Sequence, residues 1–360
     1  MRIAVLGSAV LPVPPMGQGG TEWIAYYQAK ELADLGYEVI LIAANGSFQD
    51  GKYKLVEIGQ NPNDKIQISN KIQNQNKENI ESSRQLRIEN VRLAEVIQNL
   101  IDLKDDYDVI LNNMRGEAVF LPEAKNLGKP FVNVMHLPMF EELAEIFRKY
   151  NTAIITISNN QRKEFPDLNY LATVYNCVDT EKFRVPDGTQ SSEDYLLMVG
   201  TIGRHKNQGA AVRTAKKLGI KLILAGKIRD KEYFEELKKD IDGTNIIWYE
   251  SLDFDRKISI YQNAKAFLFP VLWEEPFGLV MIEAMACGTP VVAYGNGAIP
   301  EVLVNGKTGF VIENNSEEEM AEAVKKIEMI KREDCRRHVM ENFTVERMVK
   351  GYEEALLKLT

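Results

Sequence analysis

Cysteine is scarce in this chain. Cys177, Cys287 and Cys335 lie far apart, without the density of a disulfide framework or the close spacing of a metal knuckle, so a reducing compartment is expected. Histidine is equally sparse, with His136, His205 and His338 each isolated. No His/Asp/Glu cluster has ligand spacing, and no metal is expected. A basic excess is missing too: 44 Lys and Arg stand against 52 Asp and Glu, a formal net charge of −8. That balance argues against nucleic acid as a partner while leaving room for a local basic pocket. Long apolar runs are absent, since no uncharged stretch reaches the roughly 18 residues of a spanning helix. The opening MRIAVLG lacks the basic and apolar regions of a signal peptide and reads instead as a strand. The expected location is cytoplasmic, with peripheral contact at the inner membrane face left open.

What the chain does have is length and alternation. Its 360 residues exceed one ordinary core, and 45% hydrophobic with 27% charged residues is the balance of a packed protein. Short apolar runs at 2–6, 38–43, 109–111, 131–134 and 153–157 alternate with helical patterns such as 21–35 and 80–101. A polar, Asn/Gln-rich stretch at 60–76 reads as a surface loop. A second series of strands is expected at 195–199, 221–225, 246–249, 266–269 and 290–293, with helices between them. The alternation predicts an α/β fold built on parallel sheets with helices on both faces. VPDGTQSSED, residues 185–194, is polar and turn-rich, the best linker candidate. The expected architecture is two Rossmann-like, doubly wound domains, 1–185 and 194–343, with a ligand cleft between them. The last helical pattern, about 344–360, is expected to pack back onto the first domain.

Four segments carry candidate chemistry. In WEEPFGLVMIEAMACGTPVVA, Glu275 sits in a Pro/Gly turn and Glu283 follows inside an apolar helix read as 277–287, stopped by Gly288 and Pro290. Carboxylates so placed can hold sugar hydroxyls, and the helix N-terminus can hold a phosphate. A molecule with both groups is a sugar nucleotide; the bland alternative is a surface helix charge with a capping Glu275. VGTIGRHKNQ places Arg204 and Lys206 between a strand end and a helix starting near Asn207, which suits a phosphate or merely a solvated basic turn. In VLPVPPMGQGGTEW, Gly19 and Gly20 precede Thr21, a candidate N-cap, and would let the backbone approach a diphosphate. A flexible connection is the alternative there. The Pro-rich insertion, and a second strand ending in Ala43-Ala44-Asn45 without an acid, disfavour NAD. FVNVMHLPMF puts His136 at a strand-end loop, where cleft residues collect, although a lone histidine is as readily structural. His338, in a basic helix, is expected in solvent.

Taken in order and spacing, these segments resemble the family-4 retaining glycosyltransferases of the GT-B fold, over nearly the whole chain and most strongly at 221–311. EEPFGLVMIEAMACGTPVVA looks like that family's E-x7-E signature, and GAIPEVLVNGKTGFVI (297–312) like the segment after it. NCVDTEKF (176–183) resembles N-G-V-D-x-x-x-F, and GGTE resembles a branch whose acceptors vary.

The resemblance implies hexosyl transfer from a UDP-sugar or GDP-sugar with retention of anomeric configuration and without metal or cofactor. The acceptor could be a sugar, lipid, polysaccharide, protein or small molecule. Glu275 would hold donor-sugar hydroxyls, His136 would contact the sugar, and Lys206 would neutralise the diphosphate. The N–H groups of Phe277, Gly278 and Leu279 would bind sugar hydroxyls, with Leu279 and Val280 reaching toward phosphate and ribose. Glu283 would hold the ribose, and Gly19 and Gly20 would approach the diphosphate from the other domain. Two positions depart from the pattern: Thr201 stands where the family has Arg, with Arg204 as candidate substitute, and Cys177 replaces a Gly. Acceptor contacts are expected from loops including 46–59 and 115–117. A sugar phosphorylase, a sugar-nucleotide epimerase and a non-catalytic sugar-nucleotide-binding protein are the alternatives on the same fold.

Overall fold

The computed structural model describes residues 1–15, 17, 19–59, 76–185 and 194–359. The chain divides into two compact units, one of Met1–Ile157, Glu164–Val174 and Val349–Thr360, the other of Ser158–Lys163 and Tyr175–Met348.

In the first unit, β1 (Arg2–Leu6), β2 (Glu38–Ala44), β3 (Lys54–Ile58), β4 (Val109–Asn112), β5 (Phe131–Met135), β6 (Ala153–Thr156) and β7 (Tyr170–Thr173) form one sheet in the order β3-β2-β1-β4-β5-β6-β7. Every pairing is parallel. The helices are α1 (Gly20–Asp34), α2 (Asn76–Asp102), α3 (Glu117–Leu127) and α4 (Glu141–Tyr150). Ile3 to Leu6 and all of β4 and β5 are buried, because helices cover both faces, and such strands read as continuous apolar runs rather than alternating ones. The chain winds outward from β1 to β3 and then returns to β4. The loops leaving β1 and β4 therefore diverge, opening a crevice at the carboxyl ends of the strands.

The second unit repeats the plan with β8 (Tyr195–Val199), β9 (Lys221–Ala225), β10 (Ile246–Tyr249), β11 (Ala266–Phe269), β12 (Val291–Tyr294) and β13 (Gly309–Ile312). They are all parallel, in the order β10-β9-β8-β11-β12-β13. Its helices are α5 (Gln208–Leu218), α6 (Lys231–Lys238), α7 (Phe254–Asn263), α8 (Leu279–Ala286), α9 (Ile299–Val302), α10 (Glu317–Lys325) and α11 (Arg332–Asn342), followed by α12 (Val345–Leu356). Its switch point lies between β8 and β11.

Several boundaries differ from the sequence reading. The stretch expected as loop at 46–59 contains β3, and neither β7 nor β13 was anticipated. Thr21 does not cap α1: the helix begins at Gly20 with Gly19 as N-cap and no side-chain cap. Gly19 is there for want of a side chain, since a Cβ would press on Pro15 and on the Glu22 carboxylate, at 2.7 and 2.8 Å. Helix α8 starts at Leu279, later than read, because Gly278 takes φ 91, a left-handed conformation that interrupts the helix and that glycine adopts freely. Of the loop reading at 60–76 all but Asn76, which opens α2, and of the linker reading at 185–194 all but its two end residues, fall outside the described residues. Among the described residues no helix is long and apolar enough to cross a membrane.

Candidate functional site

In the second unit the loops after β8 and β11 converge on one ion pair. Lys206 Nζ lies 2.8 Å from Glu275 Oε2, and Trp273 Nε1 donates to the same oxygen at 2.9 Å. The Lys206 ammonium stands 4.8 Å from the Trp273 ring centroid and 5.4 Å from that of Phe269, an aromatic seat that attracts a cation. The two charged side chains are only 17% and 10% exposed. Backbone bonds pin both loops: Leu272 N–H donates to the His205 carbonyl at 2.9 Å, and Ala298 N–H to the Glu275 carbonyl at 2.8 Å. Gly297, at φ 67, lies so close behind Glu275 that a Cβ would overlap its backbone N and O. The His205 ring meets Trp273 edge-on at 5.6 Å. Burial, then the positive charges of Lys206 and Arg229, push its imidazole pKa down.

Arg204 is adjacent in sequence but has other partners. It donates to Glu236 at 3.1 and 2.5 Å, lies 3.7 Å from Asp230 and sits 5.4 Å above the Tyr233 ring. Thr201 offers its carbonyl to Gln208 Nε2 at 3.0 Å.

Glu283 occupies the second turn of α8. Lys257 Nζ meets one of its oxygens and the Tyr261 hydroxyl the other, each at 2.8 Å, both from α7. Burial, and then the Glu283 charge, raise the Tyr261 pKa, so its hydroxyl stays a donor. A carboxylate has about four lone-pair positions, which leaves Glu283 capacity for further donors. No side chain caps α8, and the Met281 N–H donates to the Gly278 carbonyl at 2.9 Å, so the N–H groups of Leu279 and Val280 are the ones left for water or a ligand. The start of the helix is anchored by Phe277, buried beside Tyr175 at 6.0 Å and Phe343 at 5.7 Å.

The first unit holds a pocket of about 550 Å³ at the carboxyl ends of β1, β4 and β5, lined by Gly19, Gly20, Asn113 and His136 among others. His136 Nε2 is 2.9 Å from Asn113 Oδ1. The Asn113 amide nitrogen donates to the Leu6 carbonyl at 3.2 Å and to Gln28 Oε1 at 2.7 Å. A backbone carbonyl can only accept, which assigns the orientation of the Asn113 amide and makes its Oδ1 the acceptor. His136 therefore carries its proton on Nε2 and keeps Nδ1 as an acceptor. Burial holds its pKa down to about 4, so the ring is neutral near pH 7. His338, expected in solvent, is instead half-buried: its Nε2 bonds the Val302 carbonyl at 2.9 Å and its ring packs edge-on against Phe343.

Lys206 and Glu275 thus come together, as do Gly19, Gly20 and His136. Trp273, Asn113, Gln28 and Gly297 went unread as site residues. Paired amides at Asn112-Asn113, directly after an apolar strand, were the available signal for the histidine support.

Residues 179–342 match the protein family described as "Glycosyl transferases group 1". A probable sucrose-phosphate synthase of Thermosipho melanesiensis is 26% identical over 234 residues, covering 58% of this chain and 55% of that one. Among solved structures, AviGT4, "a glycosyltransferase involved in Avilamycin A biosynthesis", covers 100% of this chain and 98% of its own at 22% identity and TM-score 0.73. Anabaena HepE, in complex with UDP and glucose, covers 99% of each chain at 16% identity and TM-score 0.73. The matched segment covers somewhat less than half of the chain and is similar to that family, and the two parallel sheets with these neighbours in fold show an α/β GT-B architecture. At these identities the solved structures bear on the fold alone, and the sequence matches span only about half the length of the curated relatives. The family match includes Lys206, Glu275 and Glu283, whereas His136, Gly19 and Gly20 of this GT-B chain lie outside it. Among the described residues no cluster of His, Cys, Asp or Glu could hold a metal ion.

Proposed function

We propose that this protein transfers a hexosyl group from a nucleoside-diphosphate sugar to a hydroxyl acceptor, with retention of configuration and without a metal. The observation that carries the reading is the Lys206–Glu275 pair, 2.8 Å apart, at the switch point of the second sheet, beside the uncapped start of α8. A sugar diphosphate needs a cation and free N–H groups for its phosphates and a carboxylate for its hydroxyls. These groups stand side by side there, and HepE, a neighbour in fold, was solved with UDP and glucose.

In this reaction the bond from the anomeric carbon to the diphosphate oxygen breaks as the acceptor oxygen bonds the same face. The acceptor's proton passes to the leaving phosphate oxygen. Negative charge grows on the leaving group, where Lys206 and the α8 N–H groups lower the barrier. Glu275 accepts from donor-sugar hydroxyls, and Glu283, oriented by Lys257 and Tyr261, accepts from the ribose. The Nδ1 acceptor of His136 suits a sugar hydroxyl, and Gly19 and Gly20 permit close backbone approach.

The test is thermal stabilisation by UDP-, GDP- and ADP-sugars in the presence of a chelator, since a ligand that binds only the folded state raises its stability with occupancy. One nucleotide should stabilise the protein, and Lys206→Ala should weaken its binding by about 1.5–3 kcal/mol. NMR of the transferred product reads the anomeric configuration. Inversion would overturn the retention assignment, and activity lost on chelation would overturn metal independence.

A further inference from the structure

We propose that the pocket of the first unit takes an amphiphilic acceptor, with an uncharged, hydroxyl-bearing head on its floor and an apolar group across its rim. The inference rests on the transferase reading above and names the acceptor class that reading leaves open.

The floor and the rim of this pocket differ in chemistry. On the floor, Asn113 is 4% exposed and orients the neutral His136 through the 2.9 Å bond to Nε2. Glu22, Glu89 and Glu117 also line the pocket, and Arg115 is the cation among its described lining residues. Burial raises the pKa of Glu117 against the pull of its own N–H and that of Gly116. Carboxylates and an imidazole Nδ1 accept hydrogen bonds from hydroxyls, and three carboxylates against one guanidinium disfavour a phosphorylated or carboxylated head.

The rim is apolar. Val10, Leu11, Leu86, Val119 and Leu137 all line the pocket, yet they are 39, 40, 60, 49 and 39% exposed. They come from the loop after β1, from α2, from α3 and from the loop after β5, so no single amphipathic element accounts for them. Scattered exposed leucines and valines need no explanation, but a set gathered on one concave opening marks a binding surface. An acceptor that is polar throughout would leave this rim in water. One that carries an alkyl or aromatic group would cover it, gaining about fourfold in affinity per buried methylene.

Calorimetry on the whole chain tests this with n-octyl glycosides below their micelle concentration, the matching methyl glycosides and the matching hexose 6-phosphates, using gluco, galacto and manno heads. Leu86→Ser and Val119→Ser, at exposed rim positions apart from the donor groups, are the test variants, and nucleotide-sugar stabilisation measured in parallel is the control. For at least one head the octyl glycoside should bind at least about tenfold tighter than the methyl glycoside, with the phosphate weaker than both. The double variant should lose that preference while keeping its response to donor. Equal octyl and methyl affinities, absence of glycoside binding, tighter binding of the phosphate, or a preference that survives both substitutions would overturn the proposal. If donors stabilise the protein while the octyl preference fails, the acceptor class is wrong and the transferase reading stands. If the preference holds but no donor binds, the pocket assignment stands and the transferase reading falls.

Discussion

Lys206 and Glu275 neutralise one another across 2.8 Å, with Trp273 bonded to the same carboxylate oxygen. In the proposed site a diphosphate and the carboxylate would compete for one ammonium, and the two partners should respond differently to substitution. Lys206→Ala removes the cation, so nucleoside diphosphate affinity should fall by about 1.5–3 kcal/mol, the range for a hydrogen bond to a charged group. Glu275→Gln keeps the shape and frees the ammonium. It should bind the nucleoside diphosphate at least as tightly as the natural chain while turnover falls at least about a hundredfold. Calorimetry with the nucleotide, alongside initial rates, reads both. Equal loss of affinity in the two variants would show that the pair acts on the nucleotide only as a unit.

Behind Glu275, Gly297 leaves no room for a side chain, whereas Gly306, also at positive φ (76), has open space around its Cβ position. Gly306→Ala should cost about 1 kcal/mol of stability, the ordinary left-handed penalty, with activity per folded molecule unchanged. Gly297→Ala adds the overlap with the Glu275 backbone and should cost about 2–4 kcal/mol. The folded fraction should also turn over more slowly because the carboxylate is displaced. Denaturant melts with activity measured on the folded fraction compare the two; identical activities would remove Gly297 from the support of the site.

The central strands were legible because burial on both faces makes them continuous apolar runs, as in Ile3 to Leu6 and Val109 to Leu111. The missed strands β3, β7 and β13 are short and mostly half-exposed, so a run of four or five mixed residues carries no period that separates strand from loop. Glu275 and Glu283 stood out through an unusual polar placement in an apolar segment. Lys206 stood out as a loop cation, but its pairing with Glu275 did not, since the two lie 69 positions apart, and Gln28 likewise reaches Asn113 across 85. Such pairings depend on which loops leave adjacent strands at a switch point. Gly297 was visible as a glycine, but what it makes room for is set by tertiary packing alone.

Asn113 should govern both the tautomer and the titration of His136. With its pKa held at about 4 by burial, His136 is neutral in the folded chain and protonated in the unfolded one between about pH 4 and 6.5. The unfolded state binds more protons there, so this residue's contribution to stability falls as pH drops through the window and is constant above it. The stability difference between the natural chain and His136→Gln should therefore shift against the natural chain as pH falls from 6.5 to 4. In Asn113→Asp a carboxylate faces the imidazole at 2.9 Å, which should raise the His136 pKa by at least about one unit. Nitrogen-15 NMR of the imidazole reads both the protonated Nε2 and the titration; a proton on Nδ1 in the natural chain would reject the assignment.

The two oxygens of Glu283 are already oriented by Lys257 and Tyr261, each at 2.8 Å, which would favour the proposed reading of the ribose. Remaining lone pairs then point at a ligand without further cost of ordering the side chain. If those lone pairs accept the 2′- and 3′-hydroxyls, removing the hydroxyls from the nucleotide strands a partly desolvated carboxylate. The natural chain should prefer a nucleoside diphosphate over its 2′,3′-dideoxy analogue by about 1.5–3 kcal/mol, roughly ten- to a hundredfold. Glu283→Gln should lose most of that preference while its affinity for the dideoxy analogue stays nearly constant, because the diphosphate groups are untouched. Tyr261→Phe should give an intermediate preference and lower stability by about 1 kcal/mol, as the hydroxyl bond is lost but the charge remains. The double comparison separates recognition from folding: a Glu283→Gln variant that weakened both nucleotides equally would mean that the carboxylate holds α7 to α8 and leaves the ribose to other groups.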